Sequence, residues 1–129
     1  MTPRFLTPEE VIEIHADQIE RYGGSPGTRD KDLLQSAVAM PESGFGEHYL
    51  HTDLFEMAAA YLFHLVQNHP FVDGNKRVGA ASALVFLELN RVTVTVPNDA
   101  LVETVLKVAQ GKMGKAGVAE FFRQHAKKK

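Results

Sequence analysis

The chain has 129 residues, the length of one ordinary domain; 44% are hydrophobic, enough for a sizeable core, and the lack of cysteine excludes disulfides, thiolate zinc sites and a cysteine nucleophile. The formal net charge of −2 argues against a basic surface for nucleic acid or anionic lipid, and the longest weakly polar run, Val78–Leu87, is shorter than the ~18 residues of a membrane span. We therefore predict a single cytoplasmic domain over residues 1–129, with neither nucleic acid nor a membrane as a partner.

Capping signals predict two helices in the first third of the chain. Thr7 can cap a helix in which Glu10 completes a capping box, and this helix continues to about Tyr22. Asp30 is a suitable cap for a second, short helix. Pro41 ends that helix, because the residue before a proline is disfavoured in helical geometry.

Two helices that are apolar on nearly every face are predicted in the middle of the chain. The first is capped by Thr52 or Asp53 and runs to about Asn68. The second runs from about Gly74 to Leu89 and is rich in alanine, so another helix can approach it closely. Helices that are apolar all round are buried, and we therefore expect both at the centre of the domain.

The last third predicts one extended segment and two more helices. Val92–Val96 alternates β-branched residues, which favours an extended chain. A fifth helix follows, capped by Asn98 and ended by Gly111, and a sixth spans roughly Lys115 to Lys127. The elements together predict an all-α domain.

A nine-residue stretch, His69–Arg77, lies between the two central helices and carries the chemistry. A helix N-terminus presents free backbone N–H groups and partial positive charge, to which phosphate binds. Gly74 lets a ligand come close to the main chain. Lys76 and Arg77 add two cations at the end of the helix that disfavours them, and this favours a bound anion over a solvated first turn.

Three further side chains complete the predicted site. Asp73 can hold a magnesium ion that bridges phosphate oxygens, although it could also simply cap the helix. Asn75 can donate to a phosphate oxygen or hold the loop. His69 has the ordinary pKa of a base near neutral pH, its alternative being a cap or a packed side chain, and Phe71 is expected to anchor the loop. A base, a metal-binding acid and phosphate donors predict phosphoryl or nucleotidyl transfer.

The stretch His-Pro-Phe-Val-Asp-Gly-Asn-Lys-Arg resembles the signature of the Fic/Doc family, and its lysine is similar to that of the Doc (death on curing) toxin branch. The resemblance extends to Tyr22–Gly27, to Arg29 and Asp30, and to Ala83–Leu87 followed by Asn90, and it covers roughly residues 5–96. It implies a compact six-helix bundle with two central hydrophobic helices and a short flap.

The resemblance also implies roles for the motif residues, with ATP as co-substrate and Mg²⁺ as cofactor. His69 is then the base for the attacking hydroxyl, and Asp73 binds magnesium. Asn75 and Arg77 hold phosphates. Most Fic enzymes transfer AMP; they have a second glycine where this chain has Lys76 and a second arginine where it has Ala80.

Doc-type toxins bind the nucleotide in reversed orientation, phosphorylate elongation factor Tu and are inhibited by an antitoxin. The resemblance therefore implies a toxin-type protein kinase that acts on an elongation factor Tu-like protein and has a cognate antitoxin. Gly74, shared with many Fic enzymes, keeps AMP transfer open as an alternative. A second alternative is a non-catalytic, nucleotide-binding helical module.

The segment Ser43–Thr52 lies where the family has a flap that aligns the target peptide, the alternative being an ordinary surface loop. His48 and His51 are expected to be solvated there, because no third metal ligand accompanies them. His64 is predicted to be a hydrogen-bonded core histidine, whereas His15 and His125 are expected to be partly exposed. The apolar stripe of the last helix is predicted to be core or, alternatively, an antitoxin contact; it comprises Val118, Phe121 and Phe122.

Overall fold

The computed structural model describes residues 2–45 and 48–126 of the chain. This part of the chain folds into six α-helices, which are α1 (Pro8–Tyr22), α2 (Lys31–Ala39), α3 (Leu54–Asn68), α4 (Asn75–Leu89), α5 (Asn98–Ala109) and α6 (Lys115–His125). A 3₁₀ turn (Met40–Glu42) follows α2 and leads into two short strands, β1 (Gly44–Phe45) and β2 (His48–Tyr49). The predicted all-α, six-helix architecture is confirmed.

The first three helices begin where the capping signals predict. Thr7 accepts the Glu10 N–H at 3.1 Å while the Glu10 carboxylate accepts the Thr7 N–H at 2.9 Å, which is the predicted capping box. Asp30 caps α2, and Asp53 rather than Thr52 caps α3. Each such cap stabilises its helix by roughly 1 kcal/mol.

The start of α5 and the end of α6 differ from the prediction. Asn98 does not cap α5: it is already helical, and Pro97 occupies the cap position. Within the first turn, the Asp99 carboxylate accepts the N–H of the next residue, Ala100, at 3.0 Å. α6 ends at His125 because Ala126 is extended and forms a bridge with Val94, so the predicted extended segment is confirmed at this one position. Lys127 lies outside the described residues.

α3 and α4 form the centre of the domain, as predicted. α3 packs against α2, α4, α5 and α6, and α1 covers the other side of α4. The two central helices approach closely at Gly79, where a Cβ atom would lie 3.0 Å from the Val66 side chain. In α6, Val118 and Phe122 are fully buried, which confirms the core prediction for these two residues, whereas Phe121 is only half-buried against the core. Among the described residues, no helix has both the length and the apolar character to cross a membrane.

The N-terminal segment is joined to this core by a buried hydrogen bond. The Leu6 N–H donates to the Tyr61 hydroxyl at 2.8 Å, and both residues are almost fully buried. Burial raises the pKa of Tyr61 well above its ordinary value, so the hydroxyl stays neutral. The bond fixes the chain that leads into α1, the helix that lies behind the predicted site.

The segment predicted to be a flap contains a short antiparallel strand pair, in which Gly44 pairs with Tyr49 and Phe45 with His48. His48 is exposed, as expected. The prediction that His51 is solvated is wrong: it is 5% exposed.

His51 is buried because the ammonium of Lys115, at the start of α6, reaches between two imidazoles. Lys115 Nζ lies 3.2 Å from His51 Nε2 and 3.3 Å from His64 Nε2. An ammonium only donates, so both ring nitrogens accept, and the predicted hydrogen bond of His64 is confirmed. The prediction that His64 is a core residue is wrong, because its ring is only half-buried. Burial, followed by the charge of Lys115, lowers the pKa of His51 and lowers that of His64 to about 4. This cluster joins the end of the flap to α3 and α6.

Candidate active site

The predicted loop runs between two residues in the left-handed backbone region. His69 caps the C-terminus of α3 with φ 49° and ψ 54°, and Gly74 caps the N-terminus of α4 with φ 77° and ψ 19°. Glycine adopts this geometry freely, whereas histidine is strained there by roughly 1–2 kcal/mol. Contacts around His69 must offset that strain for the loop to keep its shape.

Arg29 supplies the main contact that holds His69. Its Nε donates to the His69 carbonyl at 2.8 Å and its Nη2 to the Asn68 carbonyl at 3.1 Å, so the guanidinium lies at the C-terminus of α3, where a cation is favourable. The backbone N–H groups of Arg29 and Asp30 both donate to the Pro70 carbonyl. The segment between α1 and α2 therefore packs against the loop and holds its backbone through hydrogen bonds.

Asn75 holds the loop from within. It is 7% exposed; its Oδ1 accepts the Phe71 N–H at 3.0 Å and its Nδ2 donates to the Phe71 carbonyl at 3.1 Å. The same Nδ2 lies 3.4 Å from His69 Nδ1, a contact at the long end of hydrogen-bond distances. The structure thus gives Asn75 the loop-holding role, one of its two predicted alternatives, and its binding of phosphate stays a prediction.

Asp73 presents an ionised carboxylate at the surface beside the start of α4. Its Oδ2 accepts the Ser25 N–H at 3.1 Å and its Oδ1 accepts the Gly74 N–H at 2.8 Å. These two hydrogen bonds, followed by the charge of Arg77, hold the pKa of Asp73 below its ordinary value. The cap position belongs to Gly74, so the alternative that Asp73 caps α4 is wrong.

The Asp73 carboxylate fits the chemistry of a magnesium ligand. Each oxygen accepts one N–H and keeps a second lone pair for a cation. Magnesium in nucleotide sites takes one or two protein carboxylates together with phosphates and waters. Within residues 2–45 and 48–126, no group of three or more His, Cys, Asp or Glu side chains is arranged to hold a metal ion.

The two cations of the motif lie in the first turn of α4. Lys76 is exposed, and Arg77 is half-buried with its Nη1 3.4 Å from the Gln18 carbonyl of α1. Arg77 and Asp73 both lie against Gly24: a Cβ atom there would lie 2.7 Å from Asp73 Oδ2 and 2.9 Å from Arg77 Nη2. Both charged groups therefore depend on a residue without a side chain at position 24.

A cavity of about 700 Å³ opens beside these cations, between α1, α4 and α5. Lys76, Arg77 and Ala80 line it near the start of α4. Its remaining wall is mainly apolar, with Val102 and Leu106 of α5 exposed at 48% and 42%. The surface thus has cations at one end and exposed apolar side chains along its length.

Three residues that hold this site were not predicted to do so. His15 was expected to be partly exposed, and this is wrong: it is 3% exposed because its ring stacks on Phe71, with centroids 3.9 Å apart. Phe71 is itself buried, which confirms its role as an anchor. Ser25 and Arg29 hold the loop through contacts across more than 35 positions of sequence. The one sequence signal for Ser25 and Arg29 was that the segment from Tyr22 to Asp30 resembles the same part of the family.

Residues 5–87 match the sequence model of the Fic/DOC family. The chain belongs to the Fic/Doc family. Among its relatives, the Protein kinase doc of Escherichia phage P1 is 35% identical over 121 residues, which are 94% of each chain. The Toxin Doc of Mycolicibacterium smegmatis is 40% identical over 78 residues, or 60% of each chain. These relatives confirm that this Fic/Doc chain is of the Doc branch.

Proposed function

We propose that this Fic/Doc protein is a toxin-type protein kinase that transfers a phosphate from ATP to a hydroxyl of an elongation factor Tu-like protein and so inhibits translation. The name of the phage relative, Protein kinase doc, supports phosphoryl transfer. The observation that carries the proposal is the lining of the cavity by the first two turns of α4. There Lys76 and Ala80 line the same cavity as Arg77, at the positions where AMP-transferring Fic enzymes have glycine and a second arginine.

The reaction needs little covalent help from the protein. The target hydroxyl oxygen forms a bond to the γ-phosphorus of ATP, the bond from that phosphorus to the β–γ bridging oxygen breaks, and ADP leaves. The hydroxyl proton passes to His69. Such transfers depend mostly on positioning and on the neutralisation of phosphate charge. The fixed backbone of His69, held by Arg29, supports its role as the base.

The start of α4 supplies the neutralising charge. Gly74 leaves the first N–H groups of the helix open to phosphate, and Lys76 and Arg77 add two positive charges. Asp73 would hold a magnesium ion, which would neutralise part of the negative charge of the phosphates. Asn75 is also proposed to hold phosphate, and its side chain fixes the loop in which the phosphate would bind.

An antitoxin partner follows from the Doc branch, since one relative is named Toxin Doc. We propose that the antitoxin inserts an apolar segment with an acidic group into the cavity between α1, α4 and α5. Val102 and Leu106 are exposed there, and Lys76 and Arg77 would attract the acid and be covered by it. Leu106→Glu should then keep toxicity while its neutralisation by the antitoxin is lost.

The decisive experiment supplies ATP labelled at its γ- or its α-phosphate to the purified protein, with purified elongation factor Tu as acceptor. We expect label on the acceptor from γ-labelled ATP only. His69→Ala removes the proposed base and should abolish the signal. Because His69 is exposed, this replacement should leave the core intact. Label retained from α-labelled ATP alone would contradict the kinase proposal.

AMP transfer is the second candidate, and Gly74 at the cap of α4 favours it. Changing Lys76→Gly and Ala80→Arg together is expected to move the activity towards AMP transfer if these two residues set the group that is transferred. A non-catalytic module would instead leave any growth effect unchanged in His69→Ala cells.

A further inference from the structure

His15 of α1 lies directly beneath the catalytic loop, although nothing in the proposed reaction uses it. Its ring is 3% exposed and stacks on Phe71, with centroids 3.9 Å apart and planes 6° from parallel. Phe71 is 1% exposed, so the stack belongs to the core. A buried imidazole is costly unless its polar atoms are paired, and the pairing of His15 points at the active site.

The partner of His15 is the backbone of the candidate magnesium ligand. His15 Nε2 lies 2.7 Å from the Asp73 carbonyl oxygen. A carbonyl only accepts, so Nε2 carries the proton and donates it. The same nitrogen lies beneath the next residue, since a Cβ atom on Gly74 would be 3.6 Å from it.

This hydrogen bond acts on the Asp73 carboxylate through one rigid unit. The Asp73 carbonyl and the Gly74 N–H belong to the same planar peptide, so fixing one direction fixes the other. The Gly74 N–H donates to Asp73 Oδ1 at 2.8 Å. His15 therefore restrains the orientation of this peptide, and the peptide restrains Asp73 Oδ1, while the Ser25 N–H holds Asp73 Oδ2.

We propose that His15 is a positioning residue, which orients the Asp73 carboxylate for magnesium and nucleotide through the peptide between Asp73 and Gly74. The inference rests on the proposed function and names a residue that acts behind its metal ligand. Because the effect passes through Asp73, loss of the donor should reduce kcat and magnesium affinity and leave the KM for the protein target nearly unchanged.

Two variants separate the hydrogen bond from the packing. His15→Phe keeps a ring that can stack on Phe71 but has no donor, whereas His15→Gln places an amide donor near the position of Nε2 without the ring. We expect His15→Phe to lower kcat about 10-fold or more, as changes behind metal ligands do, with the KM for elongation factor Tu within about 2-fold. His15→Gln should recover most of kcat. His15→Asn, whose amide is too short, should not.

A binding measurement makes the test independent of turnover. Calorimetry with a non-hydrolysable ATP analogue, with and without Mg²⁺, should show that magnesium strengthens binding to the wild type about 10-fold more than to His15→Phe. Hydrogen exchange of the Gly74 amide should be faster in that variant. The wild type could lack kinase activity and still differ from His15→Phe in magnesium-dependent binding and in Gly74 exchange. That result would reject the proposed function and keep the positioning role.

A merely structural His15 gives a different pattern. It predicts a lower melting temperature for His15→Phe with unchanged kcat, magnesium dependence and Gly74 exchange, and that result would overturn the proposal. If His15→Phe does not fold, the comparison of His15→Gln with His15→Asn carries the test. Equal activity and magnesium dependence in those two folded variants would overturn it as well.

Discussion

Replacing Gly24 with alanine is expected to reduce the activity of the protein strongly without unfolding it. Gly24 lies in the loop after α1, where its φ of 119° belongs to the region that favours glycine. An added Cβ atom would lie 2.7 Å from Asp73 Oδ2 and 2.9 Å from Arg77 Nη2. Ordinary contact begins at 3.4 Å, so the carboxylate and the guanidinium must move by about 0.5–0.7 Å.

Gly23 offers a matched control at the preceding position. Its φ is 85°, and a Cβ atom there would meet nothing within 4 Å. Both alanine variants therefore carry the backbone strain of a positive φ, which costs about 1–3 kcal/mol. Only Gly24→Ala also displaces the two charged groups. Since misplacement of a catalytic group by ~1 Å can cost ~100-fold in rate, we expect a 10- to 100-fold lower kcat/KM for Gly24→Ala alone.

The assay combines thermal unfolding with initial rates of label transfer from ATP. The two variants should melt at similar temperatures below that of the wild type, while Gly23→Ala keeps most of its activity. Equal activity in the two variants would refute the reasoning, because it would mean that neither Asp73 nor Arg77 needs the position that the structure gives it. A Gly24→Ala variant that alone fails to fold would refute the claim that the clash is local.

Three further predictions concern stability. Tyr61→Phe removes the acceptor of the buried Leu6 N–H and should lower the free energy of unfolding in urea by about 1–3 kcal/mol, whereas a change below 0.5 kcal/mol would contradict the hydrogen bond. Gly79→Ala places a methyl group 3.0 Å from a side chain of α3 and should cost about 1–3 kcal/mol in the same measurement, unless α3 and α4 can move apart at no cost. Burial lowers the pKa of His64 from 6.5 to about 4, so the unfolded chain binds more protons, and stability present above pH 6.5 is lost as the pH falls towards 4. Because His64 is only half-buried, water screens its charge, so we expect this loss to be about 1 kcal/mol, and it should be smaller in His64→Gln over the same pH range.

The sequence determined the helices because the signals that start and bury them are local. Thr7, Asp30 and Asp53 cap helices through hydrogen bonds that reach only three residues along the chain. The apolar faces of α3 and α4 require burial whatever their neighbours are. The local signal at Asn98 led to a wrong prediction, since Asn98 is already helical and Pro97 occupies the cap position. The motif between the central helices was equally local, and the family match supports it.

Only the tertiary structure decided which other side chains hold that motif. His15 meets the Asp73 backbone across 58 positions, and Arg29 meets the His69 carbonyl across 40. His51 is buried by Lys115, which is 64 positions away. A contact between distant positions depends on how helices pack and leaves no periodic or spacing signal along the chain. The sequence thus determined six helices and a motif at the start of α4 that is proposed to bind phosphate, while the packing of α1 and the chain after it decided how that motif is held.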